Sequence, residues 1–441
     1  MARPEYSRRA NWKLLSLVIT NMSALKILLS EGSSLSARHT LYALGDRSRY
    51  TVDLVDPNPI CQARFSRFCR RWHRCPSYSD TPQEYLRFLA ELIQREKYDV
   101  LMPTHEQAFL LSKFRDTFCQ HIGLALPDFA AMRTLQSKLL FSQRLTELNL
   151  PQPATAVFRT RAELESLVSG PCYIKLAHGT AGYGVHFVRD KVELGQLANR
   201  LQQQGVLDGE LESLVQQPAL GVQSTVQAVF DHGNLVGVHT FQARAIGVGG
   251  MSSARVSAHH PLVHDHVRRL GADLQWHGAL FLDYFHDPEH GPEYIEANPR
   301  IGETVNAWLG GLNLCELLVQ ISLGKSPAPA PTTEPGRRSH SGFMILMTKA
   351  LEGCTRRKLL AEWWQARRQR GLYANSEDEL TRRRDDRPST IPARAIMLQL
   401  LANPGFAEGI VKKTVKNYSL PESAVHTVCR LPDDTADKYF A

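Results

Sequence analysis

The stretch Glu293-Tyr-Ile-Glu-Ala-Asn-Pro-Arg300 decides how the rest of this 441-residue chain is read. Tyr294 and Ile295 read as the end of a β-strand, which Pro299 cannot continue in the middle of a sheet. Glu296 and Asn298 alternate with Ile295 and Ala297, so both point to one face of that strand. The face then carries a carboxylate and an amide, oxygen ligands of the kind Mg²⁺ accepts. Arg300 follows just past the strand, where it can reach a phosphate or a developing oxyanion. Upstream, Gly278-Ala-Leu-Phe-Leu-Asp283-Tyr-Phe is a second apolar strand with one acid, and Asp287-Pro-Glu-His-Gly291-Pro is a turn joining the two. The resulting hairpin would bring Asp283 beside Glu296, and paired acids repel unless a cation lies between them. Taken alone, the same residues also describe a surface hairpin with scattered acids. The segments upstream decide between the two.

The composition, 43% hydrophobic and 22% charged, describes a soluble globular protein, and the length suggests two to four domains. No apolar run approaches the roughly 20 residues needed to span a bilayer, so a membrane role is excluded from the reading. A net charge of +8 and a pI near 9.1 admit an anionic ligand without requiring nucleic acid. The run Arg382-Arg-Arg384 could touch nucleic acid, but a solvated helix face is the simpler reading. The eight cysteines include Cys61, Cys69 and Cys75 around His73, yet their spacings match no usual zinc knuckle. A reduced, cytoplasmic compartment is the expectation. Residues 1–22 read as a flexible extension, with Met22-Ser-Ala-Leu-Lys-Ile running straight into the first strand.

From there the chain alternates. Leu25–Leu29 and Tyr50–Asp56 read as strands around a helix over Ser36–Leu44, a β-loop-α-β unit whose glycines do not form GxGxxG. Thr81–Gln94 is a helix, and Tyr98–Met102 a strand followed by Thr104-His105-Glu106. Such alternation argues an open parallel sheet with ligands at its carboxyl ends, so His105 and Glu106 are candidate substrate contacts, a helix cap being the alternative. Phe129–Leu148 reads as one helix containing Lys138, and Leu150-Pro-Gln-Pro153 as a boundary. Pro171-Cys-Tyr-Ile-Lys175-Leu is a strand running into His178-Gly-Thr-Ala-Gly-Tyr-Gly184. Glycines 179, 182 and 184 let backbone N–H groups close on an anion, and Lys175 stands over the same place. Leu214–Pro218, Thr225–Phe230 and Leu235–Phe241 read as strands, Gly247–Ser253 as a flexible loop, Leu262–Gln275 as a helix. Thr304–Leu323 is a helix pair broken near Gly310-Gly311, followed by a proline-rich linker.

In that order, these pieces resemble the ATP-grasp superfamily over roughly residues 25 to 325. Arg244 and the Gly249-Gly250-Met-Ser-Ser segment are further similar to its carboxylate–amine ligase and carbamoyl-phosphate-synthase-like branch. The resemblance implies a Rossmann-like parallel α/β domain (23–125), a two-lobed ATP-grasp domain (126–325), a linker (326–340) and a helical C-terminal appendage (341–441). It implies ATP with Mg²⁺ or Mn²⁺ as cofactors. Lys138, Lys175, His178, Gly179, Thr180, Gly182 and Gly184 would hold the phosphates, and Gln216, Gln217, Leu220 and Gln223 would line the adenosine site. Asp283, Glu296 and Asn298 would hold the metal. Arg300 would face the transferred phosphate and the acyl oxyanion, and Arg244 would bind the carboxylate substrate. Gln216 and Gln223 depart from the acids common at these places, which bears on nucleotide preference; amides still accept hydrogen bonds from a ribose.

The expected reaction joins a small-molecule carboxylate to an amine through an acylphosphate, releasing ADP and phosphate. Two alternatives stand beside it: a non-amine acceptor or carboxyphosphate chemistry on the same scaffold, and a non-catalytic nucleotide-binding module. The expected partners are the two substrates, with nucleic acid disfavoured, and the appendage would complete the acceptor pocket or mediate a homodimer.

Overall fold

The computed structural model describes residues 24–440 apart from 180, 181, 183, 381–385, 417 and 418. The N-terminal extension, Thr180 and the Arg382-Arg-Arg384 run therefore lie outside the described residues. Four parallel strands come first: β1 (Leu25–Leu29), β2 (Tyr50–Val55), β3 (Cys69–His73) and β4 (Val100–Met102), in the order β3-β2-β1-β4. Ile27, Leu28 and Leu29 are buried on both faces, as a covered parallel sheet requires of its central strand. β3 has no counterpart among the strands expected from the sequence. Its sequence Cys-Arg-Arg-Trp-His has no apolar alternation, and it is held as an edge strand by Arg70, whose guanidinium lies 2.8 and 2.6 Å from the two oxygens of Asp53. At the carboxyl ends of this sheet the Glu31–Ser34 loop is pinned. Glu31 Oε2 accepts from the Ser33 and Ser34 amides, and Glu31 Oε1 accepts from Thr104 Oγ1 at 2.8 Å.

The stretch expected to be one helix is two, Phe129–Gln136 and Lys138–Glu147. Ser137 takes an extended backbone (ψ 122°) and its Oγ caps the second helix at the Leu140 amide, which puts Lys138 at that helix's first position. A small antiparallel sheet follows, with β5 (Thr155–Thr160), β6 (Cys172–Leu176), β7 (Val185–Val188) and β8 (Asp208–Gln216) in the order β5-β8-β6-β7. Helices Arg161–Leu167 and Lys191–Gln203 bury Leu164, Leu194, Leu197 and Leu201 against Phe158, Ile174 and Val215 of the sheet.

The third sheet contains β9 (Val222–Asp231), β10 (Asn234–Ile246), β11 (Ser252–Ala258), β12 (Gly278–Asp287), β13 (Gly291–Asn298), β14 (Arg338–His340) and β15 (Ser376–Asp378). Their order is β13-β12-β9-β10-β11-β14-β15, antiparallel except for the last pair. The segment read as a flexible loop is a short turn at Val248–Gly250 followed at once by β11. The strand Ser-Ser-Ala-Arg-Val-Ser-Ala was missed because polar residues occupy its buried positions: Ser252, Ser253, Arg255 and Ser257 are all buried. The hairpin expected from the sequence is present, with Asp283 paired to Glu296 and a bulge immediately after Asp283.

The C-terminal region is largely helical, yet β14, placed in the linker on sequence, and β15 extend the large sheet. Helix Glu422–Arg430 returns to the first domain, packing Val425 and Val428 with Leu89 and Phe118. Asp386 is buried against it as well, 3.2 Å from Arg38 Nη2 and accepting from Ser66 Oγ. No helix among the described residues is long and apolar enough to cross a membrane.

Candidate active site

A cavity of about 370 Å³ opens between the small and large antiparallel sheets, closed on its other sides by the first domain and the C-terminal helices. On its charged wall, β6 presents Lys175, whose Nζ donates to Gln216 Oε1 at 2.6 Å and to the Ile295 carbonyl at 3.0 Å. Both acceptors are neutral, so among the described residues the desolvated ammonium has no direct counter-ion. Burial pushes Lys175 down to about 8, with Lys138 pressing the same way and Glu296 opposing. Lys138 reaches in from the helix end created by the break at Ser137, its Nζ 2.9 Å from Glu296 Oε1 and 3.2 Å from the Gly179 carbonyl.

The acidic hairpin faces these lysines. Thr225 Oγ1 donates to Asp283 Oδ1 at 2.7 Å, and the Asn298 amide to Asp283 Oδ2 at 3.2 Å. Burial pushes the Asp283 carboxyl up to about 7, with Glu296 and Glu303 adding to the rise against the Thr225 hydrogen bond. At Glu296 burial also works upward, but Lys138, Lys175 and Arg300 outweigh it and hold this carboxyl below its usual value. Asn298 Oδ1 accepts from Arg300 Nη2 at 3.1 Å, the Arg300 Nε stands 3.3 Å from Glu106 Oε1, and the guanidinium lies 5.0 Å above the Phe281 ring. Glu106 in turn accepts from Gln136 Nε2 at 3.0 Å, so the end of the parallel sheet braces Arg300.

Gly179, Gly182, Gln216, Gln217 and Gln223 line the same cavity. Gly182 and Gly184 have φ of 81° and 79°, backbone that a side chain would strain. The glycine-rich loop comes close to the Val248–Gly250 turn, since a Cβ on Gly182 would lie 3.5 Å from the Gly249 Cα. Gln223 Nε2 ties the strand after the hinge to that turn through the Gly250 carbonyl at 2.7 Å.

Four expected residues stand elsewhere. His178 and Gly184 flank the cavity without lining it, and His178 Nε2 lies 4.0 Å from Glu422 of the C-terminal helix. Leu220 is 56% exposed, its amide donating to Glu293. Arg244 does not line the cavity: its Nη1 donates to the Leu372 carbonyl at 3.0 Å, outside the wall. β10 bulges around Arg244, the pairing slipping between Ala243 and Ala245, and this turns its side chain toward the C-terminal region.

A different arginine lines the cavity. Arg255, from the strand not seen in the sequence, is buried with its Nε 3.3 Å from Glu379 Oε1 and its guanidinium 4.8 Å over the Phe241 ring. Gln227 and Glu303 join it: the Glu303 carbonyl accepts from Gln227 Nε2 at 3.0 Å and Arg255 Nη1 at 3.3 Å. Gln227 Oε1 is buried without a hydrogen-bond donor among the described residues. The apolar residues Phe343, Met344, Met347, Ile410 and Val411 of the C-terminal helices line the far side. No local motif marks these residues; Arg255 alone could have been found, as a charge inside an otherwise small-residue run.

No protein-family model matches the chain, and no curated protein matches it in sequence. Solved structures do match in shape. The biotin carboxylase domain of a 2-oxoglutarate carboxylase from Hydrogenobacter thermophilus, in complex with MgADP, ADP and bicarbonate, superposes with a TM-score of 0.57 at 14% identity, over 72% of this chain and 74% of its own. An L-amino acid ligase from Bacillus licheniformis gives 0.53 at 17% identity, over 69% and 76%. An N5-carboxyaminoimidazole synthetase from Staphylococcus aureus, complexed with ADP, gives 0.57 at 12% identity, over 75% and 86%. At identities this low the likeness is one of fold.

Proposed function

The chain has the ATP-grasp fold, and from the charges gathered in its cavity we propose an ATP-dependent ligase that joins a small-molecule carboxylate to an amine. The observation that carries the reading is one cavity holding Lys138, Lys175 and Arg300 opposite Asp283, Glu296 and Asn298. Three cations suit a nucleotide triphosphate and the charge that moves onto the leaving ADP. Lys175, with only neutral direct partners among the described residues, is available to a phosphate oxygen. Gln216 supports this role, because an acid there would neutralise the ammonium.

Asp283, Glu296 and Asn298 fit Mg²⁺ or Mn²⁺ in chemistry: hard oxygen donors, with one carboxyl pushed toward neutrality by burial, its neighbour adding to the rise, and the other leaning on Lys138. When bound, such a cation neutralises phosphate oxygens. The remaining roles belong to the chain. Arg300, braced by Glu106, steadies the acyl oxygen while a substrate carboxylate oxygen attacks the γ-phosphorus and ADP departs. Gly182, meeting the Val248–Gly250 turn, helps keep water from the acylphosphate. The amine nitrogen then attacks the acyl carbon, phosphate leaves with the C–O bond electrons, and the amine gives up a proton. Compartment and nucleotide are proposed as cytoplasm and ATP.

A rival on the same scaffold forms carboxyphosphate from bicarbonate, the anion bound in the Hydrogenobacter structure. The test is ADP release with Mg-ATP, pools of amino acids and small carboxylates, and hydroxylamine as surrogate amine. A hydroxamate identified by mass spectrometry supports acyl activation, whereas ADP release that depends on bicarbonate alone supports the rival. Glu296→Gln is expected to keep the fold and remove turnover; near-normal turnover in that variant refutes the metal assignment.

A further inference from the structure

One wall of the cavity is apolar and has no part in phosphate chemistry. Leu35, Val248, Phe343, Met344, Met347, Ile410 and Val411 line it and also belong to one continuous hydrophobic cluster. They come from four places: the first helix of the parallel domain, the Val248–Gly250 turn, helix Gly342–Leu351 and helix Phe406–Lys416. Three of the seven belong to helix Gly342–Leu351, which Ser341 caps at the Met344 amide. The face it turns to the cavity is therefore fixed by the strand pairing of β14 just before it.

The wall adjoins the acyl end of the cavity. Leu35 follows Ser34, whose Oγ donates to Glu31 Oε1 at 2.5 Å, an oxygen shared with Thr104. Thr104 leads directly to His105 and Glu106, and Glu106 holds Arg300. Val248 adjoins Gly249 and Gly250, whose turn leads into the strand bearing Arg255. The hinge residues Gln216–Ala219, like Phe285 and Ile295, line the cavity outside the apolar cluster.

We propose that this wall, which the C-terminal helices complete, receives an apolar substituent of the carboxylate substrate, so that the acid activated is one with a hydrocarbon side chain rather than a short or multiply charged one. The inference rests on the ligase reading for the word substrate, and on the cavity lining for the word apolar. Two methionines suit an unbranched or irregular group better than a rigid one, since the thioether chain adapts its shape. Gln227 Oε1, buried and without a donor among the described residues, offers an acceptor for one N–H at the polar end of such a molecule.

The test uses the full chain with Mg-ADP present and measures calorimetric binding of n-alkyl carboxylates from acetate to octanoate and of glycine, alanine, norvaline and norleucine. In parallel, hydroxamate formation from the same acids is followed with Mg-ATP and hydroxylamine. Affinity is expected to rise about fourfold per methylene until the wall is filled, the ratio that burying one CH₂ produces. Met344→Gln and Ile410→Gln, both at half-buried positions, are expected to flatten that rise while leaving the ADP affinity within twofold. Affinity independent of chain length, or an unchanged slope in both variants, overturns the proposal. If binding follows chain length and no acid is turned over, the apolar pocket stands and the ligase reading fails. If turnover occurs without chain-length preference, the ligase reading stands and the pocket assignment fails.

Discussion

Replacing Asp283 by asparagine separates what the site costs the fold from what it does. Its carboxyl ionises near 7 in the folded protein against the usual 3.8, because it is buried beside Glu296 and Glu303. A group whose folded pKa is raised binds more protons folded than unfolded, so stability falls as pH rises through the window between the two values and is flat above it. The full difference corresponds to about 4 kcal/mol, and the cavity water that the carboxyl faces reduces this to about 1–2 kcal/mol. Against it, asparagine cannot accept from both Thr225 Oγ1 and the Asn298 amide, a pH-independent loss of about 1 kcal/mol. Asp283→Asn is thus expected to melt below the wild type near pH 4–5 and level with or above it at pH 8, with differences of about 2–4 °C per kcal/mol. The assay is a set of thermal melts in chelator at pH 4.5 to 8.5. A difference that does not change with pH, or one that favours the wild type more as pH rises, refutes the assigned electrostatics. Adding Mg-ATP at about 100 times its Kd stabilises the wild type by about 2.7 kcal/mol and is expected to do far less for the variant.

The pH dependence of activity follows from the same two groups. Metal binding needs Asp283 ionised and phosphate binding needs Lys175 charged, so kcat/KM for ATP is expected to fall about tenfold per pH unit below about 7 and again above about 8; a flat profile from 5.5 to 9.5 contradicts this. Glu106→Gln removes the charge that orients Arg300 and is expected to lower kcat/KM for the acid at least tenfold, the worth of a charge-assisted hydrogen bond, with the KM for ATP within twofold; equal losses for both substrates point to a general structural role instead. Gly271→Ala would drive a methyl into the fully buried Phe230 ring, an overpacking loss of about 2 kcal/mol after the gain in helix propensity. Denaturant melts should detect it, and an unchanged midpoint means that Phe230 can move.

How much was legible depended on how local the cause was. The hairpin could be read because strand alternation and turn residues act within about 20 residues, and they alone bring Asp283 opposite Glu296. The parallel sheet was legible for the same reason, since Ile27–Leu29, Leu54 and Leu101 form short apolar runs between helical ones. β3 and β11 were not, because one is charged and the other serine-rich, and each is a strand only through its partners: Asp53 for the first, β10 and β14 for the second.

The sequence by itself therefore determined which chemical groups are carried, in what order, and on which local face. It could not decide which arginine faces the cavity. A bulge in β10 turns Arg244 toward Leu372, while Arg255 is drawn in by Glu379, 124 residues further on, a pairing only the folded chain makes. Nor could it place Lys138 against Glu296, which depends on a helix breaking at Ser137, or bring Phe343 and Ile410 to the same wall as Leu35. Burial of apolar surface has no direction of its own; the strand register of β14 and the cap at Ser341 aim that face at the cavity.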